Sequence, residues 1–206
     1  MLKPIICSYA SNGRENYNTG LLRLMDSVKQ QWDGDTYFHS LDGKETERDG
    51  VKIHLGKLPN PIKFDNKEHG EIPYFFKFVI IQLLREKGYE KIIWLDSSLV
   101  LVKNPLPLLD YGVMAFNNLG HPLWKYISDE AINNLDSKID WLKNTKQTWG
   151  GAIGFDFTKK WVQKLFDEII HHAQIGSFDN GSGSASGFIA HRHDQAVMSV
   201  LFERYG

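Results

Sequence analysis

KIIWLDSSLVLVKN, residues 91–104, is the stretch on which the fold turns. Ile92, Ile93, Trp94 and Leu95 form a short, unbroken apolar run, rich in β-branched and aromatic side chains. Such a run suits a strand covered on both faces, as strands of a parallel sheet are. Asp96 emerges where the run ends, with Ser97 and Ser98 behind it. In open α/β sheets ligands bind beyond the carboxyl ends of strands, so this carboxylate and its two hydroxyls stand where a ligand would.

Upstream, the apolar series Tyr74, Phe75, Phe76, Phe78, Val79, Ile80, Leu83 and Leu84 predicts a helix from Pro73, at its first turn, to about Lys87, with Gly88 as the stop. Lys77 stands among these apolar residues. It reads either as a lysine whose stem lies on the core while its ammonium reaches water, or as a group aimed at a ligand. Further back, Lys3–Ser8 reads as a first strand leading into the polar loop around SYASNGREN. Leu21, Leu22, Leu24, Met25 and Val28 recur at helical spacing, and Thr36–His39 and Val51–Leu55 read as strands. A polar stretch with Pro59, Pro61 and Gly70 follows, without pattern of its own.

Downstream, Val100–Val102 continues extended until Pro105 and Pro107, and Gly112–Phe116 is a further strand. Leu123–Leu142 is helical but poorly patterned. Gly150 and Gly151 precede a strand over Ala152–Phe155. Paired glycines either let a neighbour or ligand approach the backbone closely or make a simple tight turn. Lys160–His172 is an amphipathic helix. SFDNGSGSASG, residues 177–187, is too small and polar to pack and should be a mobile loop. HRHDQ, residues 191–195, opens a closing helix over Gln195–Tyr205. Strands alternating with helices predict an α/β fold: one Rossmann-like domain over residues 1–206, with a mostly parallel mixed sheet and helices on both faces.

Composition narrows the function classes. A chain of 206 residues is the size of one domain, and its net charge of -1 lacks the basic excess that nucleic acid or an anionic membrane would favour. Cys7 is the single cysteine, so no internal disulfide forms. No 18-residue apolar run or signal-peptide pattern occurs, which predicts no integral membrane segment and a cytoplasmic location. Aromatic residues at 13% suit a well-filled core as well as a sugar-stacking surface.

Several chemistries fail on the motifs. A haloacid-dehalogenase-type phosphatase needs an acidic residue two places after its aspartate, where Ser98 stands. The first loop matches neither a phosphate-binding P-loop nor G-x-G-x-x-G, and G-x-S-x-G is absent. One cysteine excludes a cysteine-based zinc site, and His191 with His193 makes half a site at most.

An apolar helix carrying a lysine, then G-Y-x-K-I-I-W-L-D-S-S-L, a G-G step into a strand, and H-R-H-D-Q opening a helix together resemble nucleotide-sugar glycosyltransferases of the GT-A fold, both glycogenin-like and bacterial galactosyltransferase-like. The likeness runs from about Pro4 to Gly206. It implies transfer of a sugar from a nucleoside diphosphate donor, a UDP-sugar, to a glycan or other hydroxyl acceptor, with a retaining outcome by analogy to the D-Q pair. It also implies a divalent cation, Mn2+ or Mg2+, on the diphosphate, because the departing nucleoside diphosphate carries charge that a metal neutralises. In that family the central strand ends in D-x-D. Here Asp96, Ser97 and Ser98 hold those places, so one carboxylate and a hydroxyl stand for two carboxylates.

The resemblance further implies that Ser8, Tyr9 and Ala10 hold base and ribose, with Arg14 on phosphate and Lys77 reaching the donor. Gly150 and Gly151 would be the turn beside the transferred sugar. Asp194 and Gln195 would face the sugar near its reacting carbon, Asp194 serving equally as a helix N-cap. Asp96, Ser98 and His193 are the implied metal ligands, although two surface histidines are the blander account of His191 and His193. The family's histidine after the last helix has no counterpart before Gly206, so that ligand is lacking or the chain is the N-terminal part of a longer protein. Two alternatives stay open: a sugar nucleotidyltransferase, and a catalytically inactive sugar- or nucleotide-binding relative.

Overall fold

A computed structural model describes residues 3–10, 15–59, 62 and 69–205. In chain order its elements are β1 (Ile5–Ala10), α1 (Glu15–Gln31), β2 (Asp35–Ser40), β3 (Glu47–Arg48), β4 (Val51–Leu55), α2 (Phe76–Glu86), β5 (Lys91–Leu95), β6 (Val113–Pro122), α3 (Asp129–Asn134), α4 (Ile139–Leu142), β7 (Lys146–Asp156), α5 (Lys160–Gln174) and α6 (His193–Tyr205). The strands form one sheet in the order β3-β4-β2-β1-β5-β7-β6. β1 pairs in parallel with β2 and β5, and β2 with β4, while β5–β7 and β3–β4 are antiparallel. This is the expected α/β class with a mostly parallel sheet.

The order of strands carries a consequence for ligands. From β1 the chain crosses through α1 to β2 on one side, whereas from β4 it crosses back through α2, past β2 and β1, to β5. Both crossovers join parallel strands and so are right-handed; running in opposite directions, they put α1 and α2 on opposite faces. The direction reverses between β1 and β5. Beyond the carboxyl ends of such a pair lies the crevice where open sheets bind ligands. Ile5, Ile6 and Cys7 of β1 face Ile92, Ile93 and Trp94 of β5 in register, all buried, and continuing that register brings Tyr9 level with Asp96.

The described residues cluster into two compact units. One lies within Met1–Ile62, Phe76–Met114 and Gly151–Thr158; the other within Lys63–Phe75, Ala115–Gly150 and Lys159–Gly206. The core of the first is β1, β5 and the flanking helices. In the second, α5 buries Val162, Leu165, Phe166 and Ile169, an i, i+3, i+4, i+7 stripe, and packs against α6. The Tyr205 hydroxyl donates to Glu168 Oε1 at 2.7 Å and ties the two helices. No helix among the described residues is long and apolar enough to cross a membrane.

Several expectations are corrected. Gly150 and Gly151 are not a turn: both lie inside β7, which continues into the ladder with β5 from Ala152 onward, so pairing overrides the weak strand preference of glycine. Val100–Val102 is not strand, and both valines are exposed. Leu123–Leu142 breaks into a 3-10 turn, α3 and α4, in keeping with its missing periodicity. α2 starts at Phe76 rather than Pro73, since Tyr74 has a φ of 58°, in the left-handed region that interrupts a helix. In the stretch 177–187, Ser177 and Phe178 are buried, Phe178 edge-on against Phe75, and the Ser184 N–H donates to Asp129 Oδ2 at 2.8 Å. One aromatic anchors a segment whose composition reads as loose.

Candidate active site

The first unit gathers the sequence-predicted residues of β1, α2 and β5. Asp96, half-buried, follows the last residue of β5. Its backbone N–H donates to the Gly151 carbonyl at 2.7 Å, so the second glycine of the G-G step sits beside the motif and puts no side chain there. Its carboxylate is anchored from within the same strand: Trp94 Nε1–H donates to Asp96 Oδ1 at 2.8 Å. The reason is local. Residues two apart on a strand share a face, and a fully buried indole needs a partner for its N–H. The carboxylate that ends the run supplies it.

Lys77 decides between its two readings. It is 3% exposed, with its ammonium 6.0 Å from the centre of the Trp94 ring. A lysine that snorkels keeps its charged head in water, and this one does not. Burying an ammonium costs several kcal/mol unless opposing charge or dipoles offset it. The arrangement therefore sets a buried cation and an anchored carboxylate around one indole at the end of β5.

Ser8 and Ala10 are fully buried in β1, and Ser8 Oγ has no hydrogen-bond partner among the described residues. Tyr9 is buried edge-on between Phe76 and His39; burial first, then the Asp42 carboxylate, pushes its phenol up to about 12, so it stays a neutral donor. Arg14 lies outside the described residues. Ser97 is buried and Ser98 exposed.

Two features of this unit escaped sequence reading. Gly20 of α1 stands so close to the strand end that a Cβ there would meet the Ser97 carbonyl oxygen at 2.6 Å, and further along α1 the Ser27 hydroxyl accepts from the Leu101 N–H at 2.9 Å. α1 is thus the rail on which the segment after β5 lies. Isolated helical glycine is the available signal, and its meaning depends on what packs against it. At the end of β2, Ser40 Oγ–H donates to Asn18 Oδ1 at 2.6 Å, and Asn18 Nδ2 to Asp42 Oδ1 at 3.2 Å, on the wall of a cavity of about 530 Å3. The turn signal S-L-D-G after the strand marks this place.

The second unit holds the other candidates. Asp194 is 1% exposed and lies within the first turn of α6, one residue inside the helix start, so it is not the N-cap. Gln195 is half-buried. Asn118 Nδ2 donates to Gln147 Oε1 at 3.0 Å and reaches Gln195 Oε1 at 3.5 Å, giving an amide cluster in which Gln147 Nε2 is buried without a partner among the described residues. Nothing in the local sequence marks Asn118 or Gln147. Gly150 is buried in the same unit.

The two histidines are not surface groups of one kind. His191 is buried; its Nδ1 accepts from the Ser128 N–H at 3.1 Å and its Nε2–H donates to the Ser177 carbonyl at 3.0 Å. Both nitrogens are engaged, so it is a structural brace and no metal ligand. Burial holds its pKa down to about 4. His193, half-buried with φ 43°, donates from Nδ1 to the Phe178 carbonyl at 2.8 Å, which leaves the Nε2 lone pair as the face it can offer.

The implied cation can be tested on these donors. Hard cations take six or more oxygens, with several from carboxylates when the protein alone holds them. The described residues contain no group of three His, Cys, Asp or Glu side chains able to hold a metal. Asp96 brings one carboxylate, partly committed to Trp94, and Ser98 a neutral hydroxyl. This donor set does not fit a protein-held divalent cation.

No family model and no curated protein matches this chain. Among solved structures, the bifunctional glycosyltransferase WbbM in its apo form superposes with a TM-score of 0.54 at 16% identity, over 98% of this chain and 37% of that one. The galactosyltransferase LgtC with donor and acceptor sugar analogues gives 0.45 at 16% identity, and an active-site mutant of LgtC 0.46 at 14%, each over 96% of this chain and 70% of that one. Superpositions below 0.5 add no weight. This chain therefore spans well under half the length of WbbM, and at such identity the likeness concerns fold, on which many functions can be built. The chain shares its α/β fold with a part of that bifunctional glycosyltransferase.

Proposed function

We propose that the chain transfers a sugar from a nucleoside diphosphate donor, a UDP-sugar, to a glycan or other hydroxyl acceptor, as one glycosyltransferase domain of the GT-A type. The observation that carries this reading is the buried Lys77 ammonium and the Trp94-anchored Asp96 at the carboxyl end of β5. When the bond from sugar to diphosphate breaks, negative charge grows on the departing diphosphate. A preorganised, desolvated cation is the group that stabilises such charge best. Asp96 orients the donor on the polar side, Gly151 leaves room beside the motif, and the assignment of the buried Ser8, Tyr9 and Ala10 to the place of base and ribose rests on the resemblance. The roles of Asp194 and Gln195 toward the sugar, and a retaining outcome, rest on the resemblance of the D-Q pair; within the second unit Asn118 holds the Gln195 amide. Mn2+ or Mg2+ belongs to this reading only as an ion that the nucleotide brings with it.

The substitution of a hydroxyl for the second motif carboxylate favours one other reading, an inactive relative that binds a nucleotide sugar without turning it over. UDP release from a panel of UDP-sugars, with and without Mn2+, separates the two. Transfer or donor hydrolysis should fall on the order of 100-fold in Lys77→Met and in Asp96→Ala, with both variants folded. Full activity in both variants would sink the site. Binding by thermal shift without any UDP release would select the inactive relative.

A further inference from the structure

We propose that the α2-side face of β2 and β4 carries a second ligand site, a cavity for a small phosphate-bearing molecule rimmed by Lys52, Lys57 and Lys87 and floored by the Tyr37 and His54 rings. The cavity holds about 510 Å3, within the range of small-molecule sites, and its described lining residues all belong to the first unit. It lies along β2, β4 and the end of α2, and among the described residues it adjoins the proposed donor site only through His39, which meets Tyr9 edge-on.

The floor follows from strand periodicity. Alternate residues of β2 share a face, so Tyr37 and His39 stand side by side while Phe38 turns to the other side. On the neighbouring strand His54 stacks on Tyr37 with ring centres 4.6 Å apart and planes 21° from parallel. His39 is fully engaged: its Nε2–H donates to the Gly56 carbonyl at 2.8 Å, and its Nδ1 accepts from the Tyr37 hydroxyl at 3.2 Å. His54 forms no hydrogen bond to a described residue.

The rim is what points to an anion. Lys87 follows α2 directly and holds its ammonium 5.5 Å from the centre of the Tyr37 ring; Lys52 and Lys57 approach from β4 and the chain after it. Among the described residues, none that lines the cavity is acidic. Among the described residues none of the three lysines forms an ion pair, and Glu47, directly across the β3–β4 ladder from Lys52, does not bridge to it. In a chain of net charge -1, three ammoniums with no ion pair among the described residues around one aromatic-floored cavity do not follow from composition. Their mutual repulsion disfavours the empty state and is relieved by a bound anion. The same field reaches His54, whose imidazolium is disfavoured by burial first, then by Lys52, His39 and Lys87. Lysines bind phosphate as point charges, and the stacked rings offer a flat surface to the rest of the ligand.

His54 serves as the reporter. Histidine-selective NMR titration, with the His54 signal identified by its loss in His54→Gln, is run with inorganic pyrophosphate at constant ionic strength. An anion beside the ring favours its charged form, so the His54 pKa should rise by about half a unit or more and saturate. The rise should persist in Asp96→Ala, which removes the proposed donor site, and vanish in Lys52→Gln/Lys87→Gln. The two lysines are exposed, so that variant should keep its circular dichroism and Tm. An unmoved His54, an equal rise in the double variant, an equal rise from sodium chloride, or a rise lost in Asp96→Ala would each overturn the proposal.

Discussion

At the scale of the residue, Trp94 joins core and chemistry in one side chain. Its ring is fully buried, its N–H holds Asp96, and the Lys77 ammonium stands over its face. Trp94→Phe keeps an aromatic ring of reduced size and deletes the N–H from the site. A hydrogen bond to a charged group contributes about 1.5–3 kcal/mol, so UDP should bind roughly tenfold or more weakly in that variant. Calorimetric titration of UDP against wild type and variant measures this. Equal affinities would mean that the indole N–H does not position the carboxylate for ligand.

At the scale of the element, α1 shows packing overriding propensity. Gly20→Ala in an exposed helix would stabilise by about 1 kcal/mol. Here the new methyl meets the Ser97 carbonyl at 2.6 Å and its carbon at 3.3 Å, both backbone atoms that cannot swing aside. Overpacking of this kind costs about 1–3 kcal/mol, so the clash wins. The variant should melt at a lower temperature and bind UDP more weakly, because relief requires the segment after Asp96 to move. A raised Tm would show that α1 does not seat the motif. The helices also show what periodicity can carry. The stripe of α5 was legible from Val162 to Ile169, whereas the region from Leu123 to Leu142, with no such stripe, folds through contacts distant in sequence.

At the scale of the whole molecule, stability should depend on pH through buried and half-buried histidines. His39, His54, His172 and His191 are all held below the ordinary imidazole range, in each case first by burial. The unfolded chain therefore binds more protons than the folded one between the folded values and about pH 6.5, and stability rises with pH across that window. It is fully present above about pH 6.5 and is lost as pH falls, for His191 down to about 4. That residue alone accounts for on the order of 3 kcal/mol over the window, since protonating its Nδ1 would aim a proton at the Ser128 N–H. Urea unfolding at pH 7 and pH 5 should show the loss, with a shallower dependence in His191→Gln. A wild type equally stable at both pH values would contradict it.

By itself the sequence determined the layer architecture and the place of the central carboxylate. Apolar runs of strand length and apolar stripes of helix period are local signals, and the end of a buried run is where a polar side chain must emerge. Tertiary structure decided what those groups do. Whether Lys77 reaches water, whether Gly150–Gly151 turns or pairs, and whether Gly20 is a weak point or a seat all depend on neighbours that no local pattern names. Asn118 meets Gln195 across 77 residues of chain, and Tyr37 stacks on His54 only because β2 and β4 adjoin. Such pairs are fixed by burial of the whole chain, where each polar group must find its partner among distant residues, and the spacing of residues along a single element carries no record of them.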